Sequence, residues 1–167
     1  MAISFRYLDP GNEERVITSS DELWTAISMD EWFDWGTTSS SLGTLELRKG
    51  KTLRSQLFIS KHPDSLWYFQ HCDRLNGTIT VLHDSARNDS NWAQSYLNPE
   101  DVHMVDDDGV VWVKLSVCGD LAFIRHSCFI VEKSAELVVK HFFDHHELLP
   151  ALNWTDDSVA QSQLDSG

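Results

Sequence analysis

Val131–Trp154 reads VEKSAELVVKHFFDHHELLPALNW, and how that stretch is read decides the fold. Ala135, Val138, Val139, Phe142, Phe143 and His146 recur at i, i+3, i+4 and i+7. That is the spacing of a helix that lays one apolar stripe on a core. Lys133, Glu136, Lys140, His141 and Asp144 fall mostly on the other sides. Leu137 breaks the pattern and is expected to point outward, towards a covering loop or a partner. Pro150 is expected to stop the helix, because it has no amide hydrogen and disfavours helical geometry in the residue before it. Ala151, Leu152 and Trp154 then make a short apolar tail, expected to fold back over the core.

Upstream of that helix the pattern is mostly strand. Ile3–Leu8 alternates, Asp9 to Asn12 is a turn signal, and Glu14–Thr18 is a candidate return strand. Ser19 and Glu22 have capping-box spacing and predict a helix over Ser20–Phe33, with Leu23, Trp24, Ile27 and Trp32 inward. Residues 36–43 read as a polar loop. Thr44–Arg48 alternates, with Leu45 and Leu47 on one face. Lys49, Gly50 and Lys51 turn it into Leu53–Ser60. His62 to Asp64 is another turn. Leu66–Cys72 is an aromatic strand, and Asn76-Gly77 leads into the β-branched Thr78–Leu82. A short helix is expected near Asn91–Leu97, and Asp106 to Gly109 reads as a turn. Val110–Cys118 and Leu121–His126 form a further pair of strands. The expected fold class is α+β: a mainly antiparallel sheet with an N-terminal helix and a long C-terminal helix packed on it. Residues 1–155 are read as one domain, and residues 156–167 as a disordered tail.

Charge and composition narrow the function. The chain of 167 residues carries 13 Lys and Arg against 26 Asp and Glu, a net charge of −13. That balance argues against a nucleic-acid or other simple phosphate-binding surface and favours a basic partner. The imbalance is local. Between Arg15 and Arg48 lie six acids and no base, and Trp24, Trp32 and Trp35 sit among them. Between Arg87 and Lys114 the acids include Asp106, Asp107 and Asp108, again with no base. Such runs are read either as solvated faces or as a partner surface. Within the first, Asp30, Glu31, Trp32, Asp34 and Trp35 combine carboxylates with large aromatic area, the chemistry of a protein contact. No apolar run approaches the ~20 residues that span a bilayer. The opening MAISFRYLDPG lacks the pattern of a secretory signal, so a cytoplasmic location is expected. Cys72, Cys118 and Cys128 are odd in number and contain no CxxC, as expected of buried free thiols.

Catalytic and metal signals are incomplete. His141 and His145 have the spacing to share an ion, but HFFDH lacks the glutamate of HExxH and suggests no third ligand. Asp106, Asp107, Asp108 and Gly109 lack the spacing of a calcium loop. His126 lies two places from Cys128 and could act as its base, whereas His71 and Cys72 would point to opposite faces of one strand. No cofactor or metal is expected. Two further readings stay open: a small metal-dependent enzyme using the histidines of the C-terminal helix, and an acidic adaptor for a basic protein.

A family resemblance rests on particular stretches. TLELRKG followed by SQLFIS resembles an early strand pair, and SLWYFQ and ITVLHD resemble central strands. The ending is the most specific: a strand, a helix with Phe142-Phe143, then ELLPALNW reaching a tryptophan. Over Leu42 to Trp154 the order resembles the first-numbered family of immunity proteins of bacterial polymorphic toxin systems. The N-terminal hairpin, the helix with its tryptophans and residues 83–108 look like additions to smaller members. The resemblance implies a non-catalytic antitoxin that binds and blocks a cognate secreted toxin, as a monomer in a 1:1 complex. Members often neutralise nucleic-acid-targeting toxins of the cytidine-deaminase fold. A toxin of that kind presents a basic active-site groove, which an acidic blocker complements. The contacts expected are Asp30, Glu31, Trp32, Asp34 and Trp35, with Asp106, Asp107 and Asp108 next. No binding of nucleic acid or membrane by this chain is implied.

Overall fold

A computed structural model describes residues 2–30, 43–62, 66–82, 102–105, 111–117, 120–152 and 154–156. The chain begins with β1 (Ile3–Leu8) and a two-residue β2 (Glu14–Arg15). The turn between them is closed by Asp9, whose Oδ1 accepts from the Glu13 amide at 2.9 Å. Asn12 supplies the left-handed residue of that turn at φ 63°. Helix α1 (Ser20–Met29) starts as its sequence requires. Ser19 is extended, and its hydroxyl accepts from the Glu22 amide at 3.1 Å. The reciprocal half of the box is displaced by one residue. Glu22 reaches the Thr18 amide at 3.1 Å and the Thr18 hydroxyl at 2.6 Å, not the Ser19 amide. These bonds hold the Glu22 carboxyl below the usual range. The helix ends at Met29, short of the expected Phe33, because Asp30 turns extended (φ −68°, ψ 149°).

Then come β3 (Gly43–Lys49), β4 (Thr52–His62), β5 (Leu66–Asp73) and β6 (Thr78–Leu82). Each pairs antiparallel with the next. Their tight turns fall at the glycines, Gly50 at φ 61° and Gly77 at φ 70°. Asp73 fixes the second turn: its Oδ1 accepts from the Leu75 and Asn76 amides at 2.9 and 3.2 Å. β7 (Val102–Val105), β8 (Val111–Val117) and β9 (Asp120–Arg125) form a separate three-stranded sheet, in which Val113 faces Ile124 and both are fully buried. A 3-10 turn, His126–Cys128, leads to β10 (Phe129–Val131), α2 (Glu132–His145) and β11 (Trp154–Asp156). The main sheet runs β11-β6-β5-β4-β3-β1-β2, with β10 also on β5. β6 and β10 occupy the same edge of β5, end to end and in the same direction. Val81 faces Gln70, and Phe129 faces Tyr68 two places further on.

Alternation selects the core. Tyr7, Leu45, Leu47, Leu57, Ile59, Trp67 and Phe69 fill one sheet face. Leu23 and Ile27 of α1 meet them there, with Ala135, Val138, Val139 and Phe142 of α2. Both helices therefore cover the same face, as the α+β reading expects. Lys140 on α2 reaches Asp21 on α1 at 2.7 Å and joins the helices at the surface. The stripe predicted for α2 holds for Ala135, Val138, Val139 and Phe142, and Phe143 is partly buried with its ring stacked on Phe5 at 4.8 Å. Leu137 points outward and is 55 % exposed.

Two expectations at the end of α2 are corrected. The helix does not run to Pro150. His146 adopts the left-handed conformation (φ 61°, ψ 27°), and its amide closes the last turn on Phe142 O at 2.9 Å. His146 is consequently exposed rather than part of the core stripe. The early reversal lets Leu148, Leu149, Leu152 and Trp154 pack back against the core. Trp154 Nε1 donates to Leu149 O at 3.3 Å, and β11 extends past Trp154 to Asp156 along β6. Among the described residues no helix is long and apolar enough to cross a membrane.

Candidate functional site

The surface of the helix layer is the first candidate, since it joins acids from two distant stretches. Asp21 and Glu22 open α1. Glu132, Glu136 and Asp144 lie on α2, and Glu147 follows it. Among the described residues the two helices carry two lysines, Lys133 and Lys140, and Lys140 is held between Asp21 and Glu136. The Asp21 bond raises the Lys140 ammonium pKa, so it stays charged. A groove of ≈ 610 Å³ lies along α1, lined by Arg15, Glu22, Thr25, Ala26, Met29 and Asp30. Met29 is 78 % exposed, and Val16, next to Arg15, is 84 % exposed. Isolated apolar side chains at the surface are ordinary. Met29, however, lines the groove beside the charged Arg15, Glu22 and Asp30.

Asp30 sits at the end of that groove with its side chain turned inward, 7 % exposed. The Tyr7 hydroxyl donates to its Oδ2 at 2.7 Å, and the Arg15 guanidinium pairs with Oδ1. Arg15 Nε also donates to Asp9 Oδ2 at 2.9 Å, so two carboxylates share one guanidinium. Burial pushes the Asp30 carboxyl up, against the hydrogen bond from Tyr7 and the charge of Arg15. Burial, reinforced by the bond to Asp30, pushes the Tyr7 hydroxyl far above its ordinary value. Hydrogen bonding to Asp9 raises Arg15. The carboxylate of Asp30 is thus committed to the fold, where it ties the end of α1 to Tyr7 of β1 and Arg15 of β2.

Of the other expected contact residues, Glu31, Trp32, Asp34 and Trp35 lie outside the described residues. So do Asp106, Asp107 and Asp108, the possible helix near residues 91–97, Cys118 and residues 157–167. The histidine pair of α2 is present: the His141 and His145 rings lie 4.5 Å apart. His141 Nε2 is 3.1 Å from Glu147 Oε1. Among the described residues no group of three His, Cys, Asp or Glu side chains is arranged to hold a metal ion. His126 and Cys128 lie in the 3-10 turn, not on the continuous strand their spacing suggested, and both are fully buried. Burial pushes the Cys128 thiol up to about 12, which keeps it protonated and unreactive at neutral pH. Adjacent His71 and Cys72 do point apart. His71 meets Phe142 on the helix side at 5.9 Å, and burial lowers its pKa.

Sequence reasoning missed the polar groups buried on the sheet face away from the helices. Glu46 and Gln56 are 6 % and 9 % exposed and bonded to each other at 3.2 Å. The register signals them, since both alternate with core residues, but alternation alone leaves them on a face presumed wet. Comparison with protein-family models, with curated proteins and with solved structures finds no match to this chain.

Proposed function

We propose that the protein is an immunity protein. It binds a cognate toxin domain one-to-one and blocks a basic active-site groove, most naturally that of a nucleic-acid-modifying deaminase, inside the cell that makes both. The observation that carries the reading is the acidic helix layer, where Asp21 of α1 and Glu136 of α2 meet at Lys140 and a groove with exposed Met29 runs along α1. A substrate groove built for a polyanion is attracted to such a surface, and attraction between opposite charges speeds association without any chemistry. The anchoring of Asp30 supports a division of labour. Asp30 holds the end of α1, and the residues that follow, Glu31, Trp32, Asp34 and Trp35, make the contact. Asp106, Asp107 and Asp108 are the second contact group. The sequence resemblance supports the same reading, with a qualification from physics. Its most specific residues, Phe142, Phe143, Leu149 and Trp154, are packing residues and speak for the fold first.

The decisive experiment takes the open reading frame immediately upstream and co-expresses its C-terminal domain, the candidate toxin, with and without this chain. Rescue of growth together with a one-to-one complex is the expected result. Failure of both, with the toxin domain shown to be active, refutes the reading for that pair. Glu31→Lys with Asp34→Lys should slow association and weaken inhibition while leaving the melting temperature unchanged. Association should also slow as salt rises, because the Debye length contracts to about 8 Å at physiological ionic strength. Asp30 is left out of that test, since its reversal would break the bonds to Tyr7 and Arg15.

A further inference from the structure

The net charge of −13 conceals a separation of charge. Arg6, Arg48, Lys49, Lys51, Arg54 and Arg74 come from four separate places in the sequence: β1, the two arms and tip of the β3–β4 hairpin, and the β5–β6 turn. The register gathers them at one end of the sheet. Ile3 faces Lys49, Ser4 faces Arg48, and the Arg74 amide donates to Arg54 O at 3.0 Å. Among the described residues the acids joined to this group are Glu14, Glu46 and Asp73, and Asp73 is taken up by its own turn.

Three of the guanidiniums are seated on one buried pair. Glu46 Oε2 accepts from Gln56 Nε2 at 3.2 Å. Gln56 Oε1 in turn accepts from Arg74, with Nε at 2.8 Å. The other carboxylate oxygen, Glu46 Oε1, has no hydrogen bond, and Arg48 Nη2 and Arg6 Nη1 stand 3.5 and 3.7 Å from it. One charge of Glu46 therefore underlies three cations whose side chains remain open to solvent: Arg6 is 41 % and Arg48 30 % exposed, and Arg74 is exposed as a residue. Arg54 forms no ion pair among the described residues and adds a fourth positive charge beside Arg74. Each guanidinium has five N–H donors in a rigid fork, and the buried pair engages only a few of them. The outward donors of convergent arginines suit an oxyanion that accepts several bonds at once.

We propose that the Arg6–Arg48–Arg74 platform is a binding site for a phosphate group, carried by a small phosphorylated ligand such as a diphosphate. The inference is independent of the immunity reading. With Arg54, four guanidiniums stand against Glu46 and Glu14, the latter paired with Arg6 at 3.0 Å, and a tetrahedral phosphate dianion balances the two positive charges left over. Size also matters in a chain this acidic. A small anion lies within a Debye length of the arginines, and the acids elsewhere are screened from it. A long polyanion extends over those acids and is repelled.

The test is isothermal titration of the full chain with inorganic pyrophosphate, a single-stranded RNA 12-mer and a hexaglutamate peptide. Pyrophosphate is expected to bind. Arg48→Gln and Arg74→Gln should each weaken it about fivefold or more, the loss of roughly one charge-assisted hydrogen bond. Arg48→Lys should recover only part, because it keeps the charge without the fork. Lys133→Gln, on the helix layer, should change nothing. RNA binding that fails in the same variants would overturn the assignment to a small ligand and identify nucleic acid as the source of the phosphate. Three other results overturn the proposal: no heat with pyrophosphate, hexaglutamate binding as tightly as pyrophosphate, or equal weakening by Lys133→Gln. Arginine Nε–Hε resonances of the unaltered protein give a reading that no variant's folding can confuse. Shifts on pyrophosphate addition should be confined to the platform arginines, and shifts spread over all arginines would overturn the assignment.

Discussion

Replacing Tyr7 by Phe removes one oxygen from the molecule and changes almost nothing else in shape. Tyr7 is 1 % exposed, and its hydroxyl donates to Asp30 Oδ2 at 2.7 Å. A hydrogen bond to a charged acceptor contributes about 1.5–3 kcal/mol net. The substitution also leaves Oδ2 without that donor on a side chain only 7 % exposed, which favours the upper part of the range. For a chain of this length each kcal/mol moves the melting temperature by about 2–4 °C, so a fall of about 3–12 °C is expected at neutral pH. The pH dependence is the sharper test. The Tyr7 hydroxyl is raised in the folded protein above its ordinary 10.0. A group raised on folding contributes stability that is fully present below the unfolded value and is lost as pH rises above it. The unaltered protein should therefore lose about 1.4 kcal/mol per pH unit above pH 10 on account of Tyr7 alone. Tyr7→Phe should lack that component, and every other tyrosine cancels in the comparison. Urea denaturation at pH 7 and across pH 9.5–11 measures both quantities. An unchanged urea midpoint at pH 7, or parallel alkaline slopes for the two proteins, would refute the reasoning. A double-mutant cycle with Asp30→Asn isolates the pair and should return a coupling of about 1–2 kcal/mol.

Other outcomes follow from packing and backbone geometry. Phe142→Ala empties a site 1 % exposed between Phe5 and His71 and should cost about 3–5 kcal/mol, read by urea denaturation. Gly77→Ala places a Cβ where nothing lies within 4 Å, so its cost is purely conformational. At φ +70° that cost is about 1–2 kcal/mol, and Gly77→Asn should recover part of it. Cys72 and Cys128 are free and buried, with the Cys128 thiol pushed up to about 12. In a Cys118→Ser protein, a thiol reagent at pH 8 should label neither until urea unfolds the chain. Labelling of Cys128 at native rates would contradict its burial.

Much of the fold is legible in the sequence where one local pattern decides one element. Gly50 and Asn76-Gly77 mark tight turns because only a few residues accept a positive φ. The spacing of Val138, Val139 and Phe142 fixes which face of α2 is buried. The Ser19 cap starts α1 where a hydroxyl can meet a free amide. The failures share a physical cause, which is information held in distant chain. Pro150 forbids a helix beyond it, but a helix can end sooner. Here His146 accepts a left-handed backbone because Leu148, Leu149 and Trp154 gain burial by turning back. Alternation in TLELRKG separates Glu46 from Leu45 and Leu47, yet carries no sign that the second face is also buried. Asp30 reads as a surface acid in an acidic run, and its inward turn depends on Tyr7 and Arg15 in the opening hairpin. Net charge is the clearest case. The sum hides the grouping of Arg6, Arg48, Arg54 and Arg74, which are scattered along the chain and which the sheet register brings to one end.

The shared edge of β5 has a consequence for how such a protein changes over evolutionary time. β6 and β10 are two pieces of what is geometrically a single rung, interrupted between the partners of Gln70 and Tyr68. β6 ends and β10 begins at that one gap, and the small sheet β7-β8-β9 falls between them in sequence. Gains or losses of chain there alter no pairing partner on either side, so they cannot slip the register of the main sheet. The gap is a natural graft point. Lineages can lengthen, trim or exchange the excursion while the helix-covered sheet is inherited intact.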